Sequence, residues 1–86
     1  SPYFRALFTQ DVKNNILKRD NYKCRICFMS NKSHVRKYKR KLNIHHIDYN
    51  KKNCKENNLI TLCYTCHIRT NQNRKYWIKY FKKETI

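Results

Sequence analysis

The sequence predicts a small α+β domain: a strand–turn–strand–helix unit with helices at both ends, cross-linked through two cysteine pairs. Three observations predict it. Cys24-x-x-Cys27 and Cys63-x-x-Cys66 form two short knuckles separated by residues 28–62. Between them, from Lys41 to Tyr49, side chains alternate with the period of a strand, and Leu59–Leu62 is a second short apolar run. Outside them, apolar residues recur at helical spacing: Val12 with Ile16, and Tyr76 with Tyr80 or Trp77 with Phe81.

Each element has a local reason. Thr9 to Arg19 reads as a helix, capped by Thr9, with Asp11 at its positive end and Lys18 and Arg19 at its negative end. Ser30 to Lys41 is polar and basic, and reads as a solvated loop or a flared hairpin tip. In the strand that follows, Leu42, Ile44 and His46 share one side, and Asn43, His45 and Ile47 the other. Asn50 to Asn58 is turn-rich, and a helix is expected from near Thr65 through His67 and Asn71. The tail from Arg74 to Lys83 is helical, its aromatic stripe packing the last helix against the first. Glycine is absent, so turns at positive φ fall to asparagine. There is no repeat or linker, so residues 1–86 form one domain; the abrupt start at Ser1-Pro2 reads as a cut from something longer.

A chain of 86 residues buries only roughly 60% of its unfolded surface, and its stability is marginal without a staple. Here hydrophobic residues make up 40% and charged residues 30%, so the core is thin. Twenty-one Lys and Arg against five Asp and Glu give a formal charge of +16, a field that attracts polyanions and releases their counterions. No apolar run is long enough for a membrane span or a signal-peptide core, and no stretch carries a clean basic amphipathic face. Nucleic acid is therefore the expected partner, and a membrane is not. Lys, Asn, Ile and Tyr all use AT-rich codons, which suggests a bacterial, phage or mobile-element gene and a cytoplasmic protein.

Two C-x-x-C knuckles supply four thiolates that can close tetrahedrally on zinc, the staple that the size calls for. The alternative is a pair of disulfides or ordinary buried thiols. The odd count of five Cys and the lack of a visible secretory signal weigh against a disulfide framework. Cys54 is left over and is expected to be an exposed or half-buried free thiol. A two-Cys, two-His finger is excluded by spacing, because Arg40 stands where its first histidine would fall. His34, among Ser, Lys and Arg, reads as a surface or satisfied core residue.

The run Ile44-His45-His46-Ile47-Asp48-Tyr49-Asn50, then Glu56-Asn57-Asn58-Leu59-Ile60-Thr61-Leu62-Cys63 and Cys66-His67, resembles the signature of the HNH endonucleases. Arg19 to Cys27 resembles the lead-in of members stapled by a four-cysteine zinc site. The match covers roughly Asp11 to Asn73. It implies a ββα-metal fold, in which two antiparallel strands and a helix hold one catalytic divalent ion. Position by position, it implies that His46 is the general base and that His45 is a metal ligand, often Asp in relatives. Asn58 becomes the central asparagine, its amide bracing the loop that orients His46. His67 becomes the ligand on the helix, and Asn71 a further ligand one turn later. Phe28 departs from the pattern, standing where members commonly carry glycine.

That chemistry needs these residue types. Phosphodiester hydrolysis requires a deprotonated water and a cation on the developing charge, and an imidazole with an unperturbed pKa of about 6.5 is a competent base. Adjacent strand residues point to opposite sides, so His45 reaches the ion only around a strongly twisted or bulged strand. Two histidine ligands suit Mn²⁺ or Ni²⁺ at least as well as Mg²⁺. Arg36, Arg40, Arg69 and Arg74 are the best candidates for phosphate contacts on DNA, double-stranded DNA foremost. The expectation is a metal-dependent DNA endonuclease of low sequence specificity. The competing readings are a catalytically silent zinc-stapled nucleic-acid-binding module and an interaction domain kept soluble by its charge.

Overall fold

The structure, a computed structural model, describes residues 8–85, with side chains through residue 82; the opening Ser1-Pro2 lies outside the described residues. Helix α1 (Gln10–Arg19) starts where expected: the Thr9 hydroxyl accepts from the Val12 N–H at 3.3 Å. It buries Ile16 and Leu17 and ends at Asp20, where Asn21 and Tyr22 turn the chain at φ 57° each. The first knuckle follows, with the Cys24 N–H on the Met29 carbonyl and the Phe28 N–H on the Cys24 carbonyl, both 2.9 Å.

The stretch read as a loop or hairpin tip is instead a helix, α2 (Asn31–Tyr38). Ser30 caps it, accepting from the Ser33 N–H at 3.1 Å, and Lys39 closes it in the left-handed conformation at φ 61°. Its one buried residue is His34, so no apolar period advertises it. His34 is the anchor. Its Nδ1 lies 2.7 Å from the Arg40 carbonyl, and its Nε2 accepts from the Tyr64 N–H at 3.1 Å. Both ring nitrogens are thereby satisfied by one tautomer, with the hydrogen on Nδ1.

Strands β1 (Asn43–His46) and β2 (Leu59–Leu62) pair antiparallel, Asn43 opposite Leu62 and His46 opposite Leu59. Every residue of β2 is buried, as a short apolar run covered on both faces should be. Between them, the Asn50–Asn58 turn region ends in a 3₁₀ turn over Glu56–Asn58. Helix α3 (Tyr64–Arg69) begins directly after β2, capped by Cys63, whose sulfur accepts from the Cys66 N–H at 3.4 Å. It is shorter than expected. It stops at Arg69, leaving Asn71 beyond its end. Helix α4 (Arg74–Thr85) completes the chain. Phe81 is fully buried in the cluster that also holds Leu17 of α1, with Trp77 and Tyr80 packed alongside, whereas Tyr76 is exposed. The domain is thus a small α+β fold of two antiparallel strands and four helices among the described residues.

A buried carboxylate locks α1 to β2. The Asp20 side chain is 0% exposed and lies 2.9 Å from both Arg19 and Arg25. It also accepts the Thr61 N–H at 3.0 Å, while the Arg25 N–H takes the Thr61 carbonyl, so the outer edge of β2 is sealed. Arg19 reaches on to the carbonyls of Glu56 and Leu59, 2.7 Å each. Burial alone would raise the Asp20 carboxyl, but the Arg19 guanidinium and the Thr61 N–H outweigh it and hold its pKa below the usual carboxylate value.

Asparagine serves at two of the positive-φ positions, Asn21 and Asn73, but Tyr22, Phe28, Lys39 and Tyr49 take the others. Phe28, just after Cys27, is left-handed at φ 64°, a conformation that glycine takes more readily than a bulky residue.

Candidate functional site

Two clusters of metal-ligating side chains flank the β1–β2–α3 unit. In the first, the ligand atoms of Cys24, Cys27, Cys63 and Cys66 all lie within 4.8 Å of one another. Cys27 Sγ and Cys63 Sγ are 3.6 Å apart. A tetrahedron of Zn–S bonds of about 2.3 Å has edges of about 3.8 Å, close to the Cys27–Cys63 separation. All five cysteines are free thiols, which removes the disulfide alternative. Backbone N–H groups further arrange the sulfurs: Ile26 N–H points at Cys24 Sγ at 3.4 Å, and Cys66 N–H at Cys63 Sγ. Burial and the neighbouring sulfurs push the Cys66 thiol up, and burial raises Cys27, whereas around Cys24 backbone N–H groups outweigh burial and bring it down. A cation bound among the sulfurs would favour their thiolate forms. The cluster can hold a metal ion and is compatible with structural zinc.

The second cluster is a cleft of about 310 Å³ lined by His45, His46, Tyr49, His67, Asn71 and Arg74, with Lys51 at its edge. His45 and His46 come from the end of β1, His67 from α3, Asn71 from the segment after it, and Arg74 from the first residue of α4. The expected opposition of the two adjacent histidines is present in their neighbours: the His46 ring meets Phe8, while the His45 ring packs against Tyr49, His67 and Phe81. Both nevertheless border the same cleft. The His45 and His67 ring centroids are 5.4 Å apart.

His45 is 3% exposed, yet its Nε2 is a buried nitrogen with no hydrogen-bond partner among the described residues. Such a group is costly unless something satisfies it. Burial, with His67, His46 and Arg74 nearby, pushes its pKa down to about 4. Burial also lowers His67, and lowers His46 despite the opposing pull of Asp48. All three shifts favour the uncharged imidazole, the form in which a histidine can accept a proton or bind a cation.

Asn58 lies outside the cleft and pins the loop beneath it. Its Nδ2 donates to Asp48 Oδ1 at 2.9 Å and to the Asn53 carbonyl at 2.8 Å, and its Oδ1 accepts from the Asp48 N–H at 3.1 Å. The Ile47 N–H adds a bond to the Asn58 carbonyl at 2.8 Å. These bonds tie the residues directly after His46 to the residue directly before β2. Asp48, assigned no role from sequence, is the other half of this brace; its carboxylate also accepts from the Asn50 N–H and Asn53 Nδ2. Its place two residues after the histidine pair was the available signal. Cys54 is a half-buried thiol whose sulfur lies 3.7 Å from His46 Nε2 and 3.4 Å from the Lys51 carbonyl, a contact with no sequence signature.

Of the four arginines singled out, only Arg74 lines the cleft. Arg69 lies over Trp77, its guanidinium carbon 5.8 Å from the ring centroid. Arg36 is exposed on α2 and Arg40 just beyond it. A wider depression of about 680 Å³ along α4, beside Tyr76 and Lys79, is lined from that region alone and brings no histidine or carboxylate together. Among the described residues no helix is long and apolar enough to cross a membrane. Comparison of the chain with protein-family models, curated proteins and solved structures found no match.

Proposed function

We propose that this domain is a metal-dependent endonuclease of the HNH type that hydrolyses DNA phosphodiester bonds. One observation carries the reading: His45, whose buried Nε2 has no hydrogen-bond partner among the described residues, lines the same cleft as His46 and His67. A buried imidazole nitrogen left without a partner suits a ligand or a metal ion better than a purely structural role. The β1–loop–β2–α3 order and the Asn58 brace are what the ββα-metal resemblance implies.

In this reading His45 and His67, with Asn71, would hold one divalent cation, and the donor set favours Mn²⁺ or Ni²⁺ alongside Mg²⁺. When bound, that cation supplies charge stabilisation for the leaving oxygen. His46 receives the proton of the attacking water, and burial keeps its imidazole unprotonated for the task. Asn58 and Asp48 hold the loop that orients His46. Zinc on Cys24, Cys27, Cys63 and Cys66 keeps α3 docked beside β1. The formal charge of +16, with Arg36 and Arg40 on the α2 side, draws in duplex DNA without base reading, so cleavage has low sequence preference.

The test is cleavage of supercoiled plasmid with Mg²⁺, Mn²⁺ or Ni²⁺, beside a His46→Ala variant matched for zinc content. Metal-dependent nicking that vanishes in the variant is the expected result. DNA binding without cleavage by either protein would instead make the chain a silent zinc-stapled binding module. Equal cleavage by both would remove His46 as the base.

A further inference from the structure

Arg74 is a cation without a carboxylate. Among the described residues its guanidinium makes no ion pair; the two ion pairs present both belong to Asp20. It is nonetheless held. Its guanidinium carbon lies 4.6 Å from the centroid of the Tyr49 ring. Tyr49 is itself tied in place: its phenol donates to the Thr70 carbonyl, and its ring meets His45 at 4.9 Å and 76°. The backbone accepts φ 63° at this bulky residue, so the ring stands where the loop after β1 meets the end of α3.

A guanidinium stacked on an aromatic ring has lost much of its rotamer freedom before any ligand arrives, and its N–H edge remains free to bond. Arg74 lines the same cleft as His45, whose buried Nε2 has no partner among the described residues. Arg74 is also the first residue of α4, a twelve-residue helix, whose dipole adds positive potential at the same end. Lys51 contributes a second cation to the rim. The cleft therefore brings three imidazoles together with two cationic side chains.

We propose that Arg74, positioned by Tyr49, is the phosphate clamp of this cleft, donating to a non-bridging oxygen of the phosphodiester to be cut. A planar fork matches phosphate oxygens, and the net charge of the chain selects a polyanion over a small carboxylate. This proposal rests on the nuclease reading for its substrate. Arg74 touches the substrate; Tyr49 is a positioning residue that acts through it.

The experiment measures kcat and KM for duplex nicking with Mn²⁺, and the salt dependence of duplex binding without added divalent ion. The proteins are the wild type, Arg74→Ala, Arg74→Lys, Tyr49→Leu and Tyr49→Phe, each checked for zinc content and helicity. Arg74→Ala and Tyr49→Leu are expected to lower kcat about 100-fold with little change in KM. Tyr49→Phe, which keeps the ring, retains most of the rate, and Arg74→Lys recovers only part of it. Wild-type kcat in Arg74→Ala would overturn the clamp and leave the nuclease reading standing. Loss in Tyr49→Leu alone would also overturn it, because the ring would then be acting on His45 directly. If the wild type cuts nothing, the nuclease reading fails first. Duplex binding then decides: a salt slope reduced by about 1 in Arg74→Ala keeps the anion site, and an unchanged slope removes it.

Discussion

The cysteine cluster and the histidine cleft both draw side chains from the β1–β2–α3 unit, yet they are finished in opposite ways. Around the cysteines the ligand atoms face one another: all four lie within 4.8 Å, three of the four residues are buried, and backbone N–H groups point at the sulfurs of Cys24 and Cys63. Around the histidines something is left undone: among the described residues His45 Nε2 is buried without a partner and Arg74 makes no ion pair, and the cleft stays open at about 310 Å³. In the proposed reading the first holds shape with every coordinating group turned on itself, and the second keeps a place free for chemistry.

The largest expected effect breaks the first half of that comparison. Cys66→Ser, or removal of zinc by a strong chelator, should abolish cooperative folding. Structural zinc sites in finger peptides contribute about 10–16 kcal/mol, more than a core this thin can replace. A thermal melt followed by circular dichroism, with zinc counted in the same sample, checks it; an unchanged melt would mean that the sulfurs staple nothing.

The next effect tests how the staple is joined to the sheet. Asp20→Asn should cost about 2–3 kcal/mol at neutral pH, below the full value for a broken buried pair because both arginines are partly exposed. The folded carboxyl titrates below its unfolded value, so its contribution is complete above the ordinary carboxylate range and is lost as the pH falls through the folded pKa. The variant should therefore show a flatter acid limb in its stability curve. Denaturant melts across acidic pH that run parallel for the two proteins would contradict this.

His45→Leu sharpens the second half. Removing a buried nitrogen that the protein leaves unsatisfied should raise stability without added divalent ion by about 1 kcal/mol, while cleavage disappears. A large loss of stability would place His45 among the structural residues instead. The smallest effect is at Phe28, left-handed at φ 64° and 68% exposed. Phe28→Gly should relieve about 0.5–1 kcal/mol of backbone strain, net of the flexibility it adds to the unfolded chain.

Much of this architecture was legible because its determinants are local. C-x-x-C spacing, the Thr9 cap, the alternation through His45 and His46, and the run Leu59–Leu62 each act within a few residues. Helix α2 was not legible for the converse reason. Its only buried side chain is His34, held by the Arg40 carbonyl and the distant Tyr64 N–H, so no periodicity marks it. Asp20 escaped notice similarly: its buried carboxylate is met by the nearby Arg19 and Arg25 and also by the Thr61 N–H, far along the chain. In the cleft the histidines and Asn71 were readable from their order. The Tyr49–Arg74 stack was not, since it depends on a positive φ and on where α3 ends.

The central claim is that one ion serves shape and another serves chemistry. The most direct measurement is plasmid cleavage by the wild-type domain after treatment with a chelator too weak to strip a four-thiolate zinc, with zinc and helicity recorded on the same sample. The account predicts that cleavage stops while zinc and helicity persist, and that Mn²⁺ restores it. Cleavage that survives the treatment, or that falls only in step with zinc and fold, would contradict it.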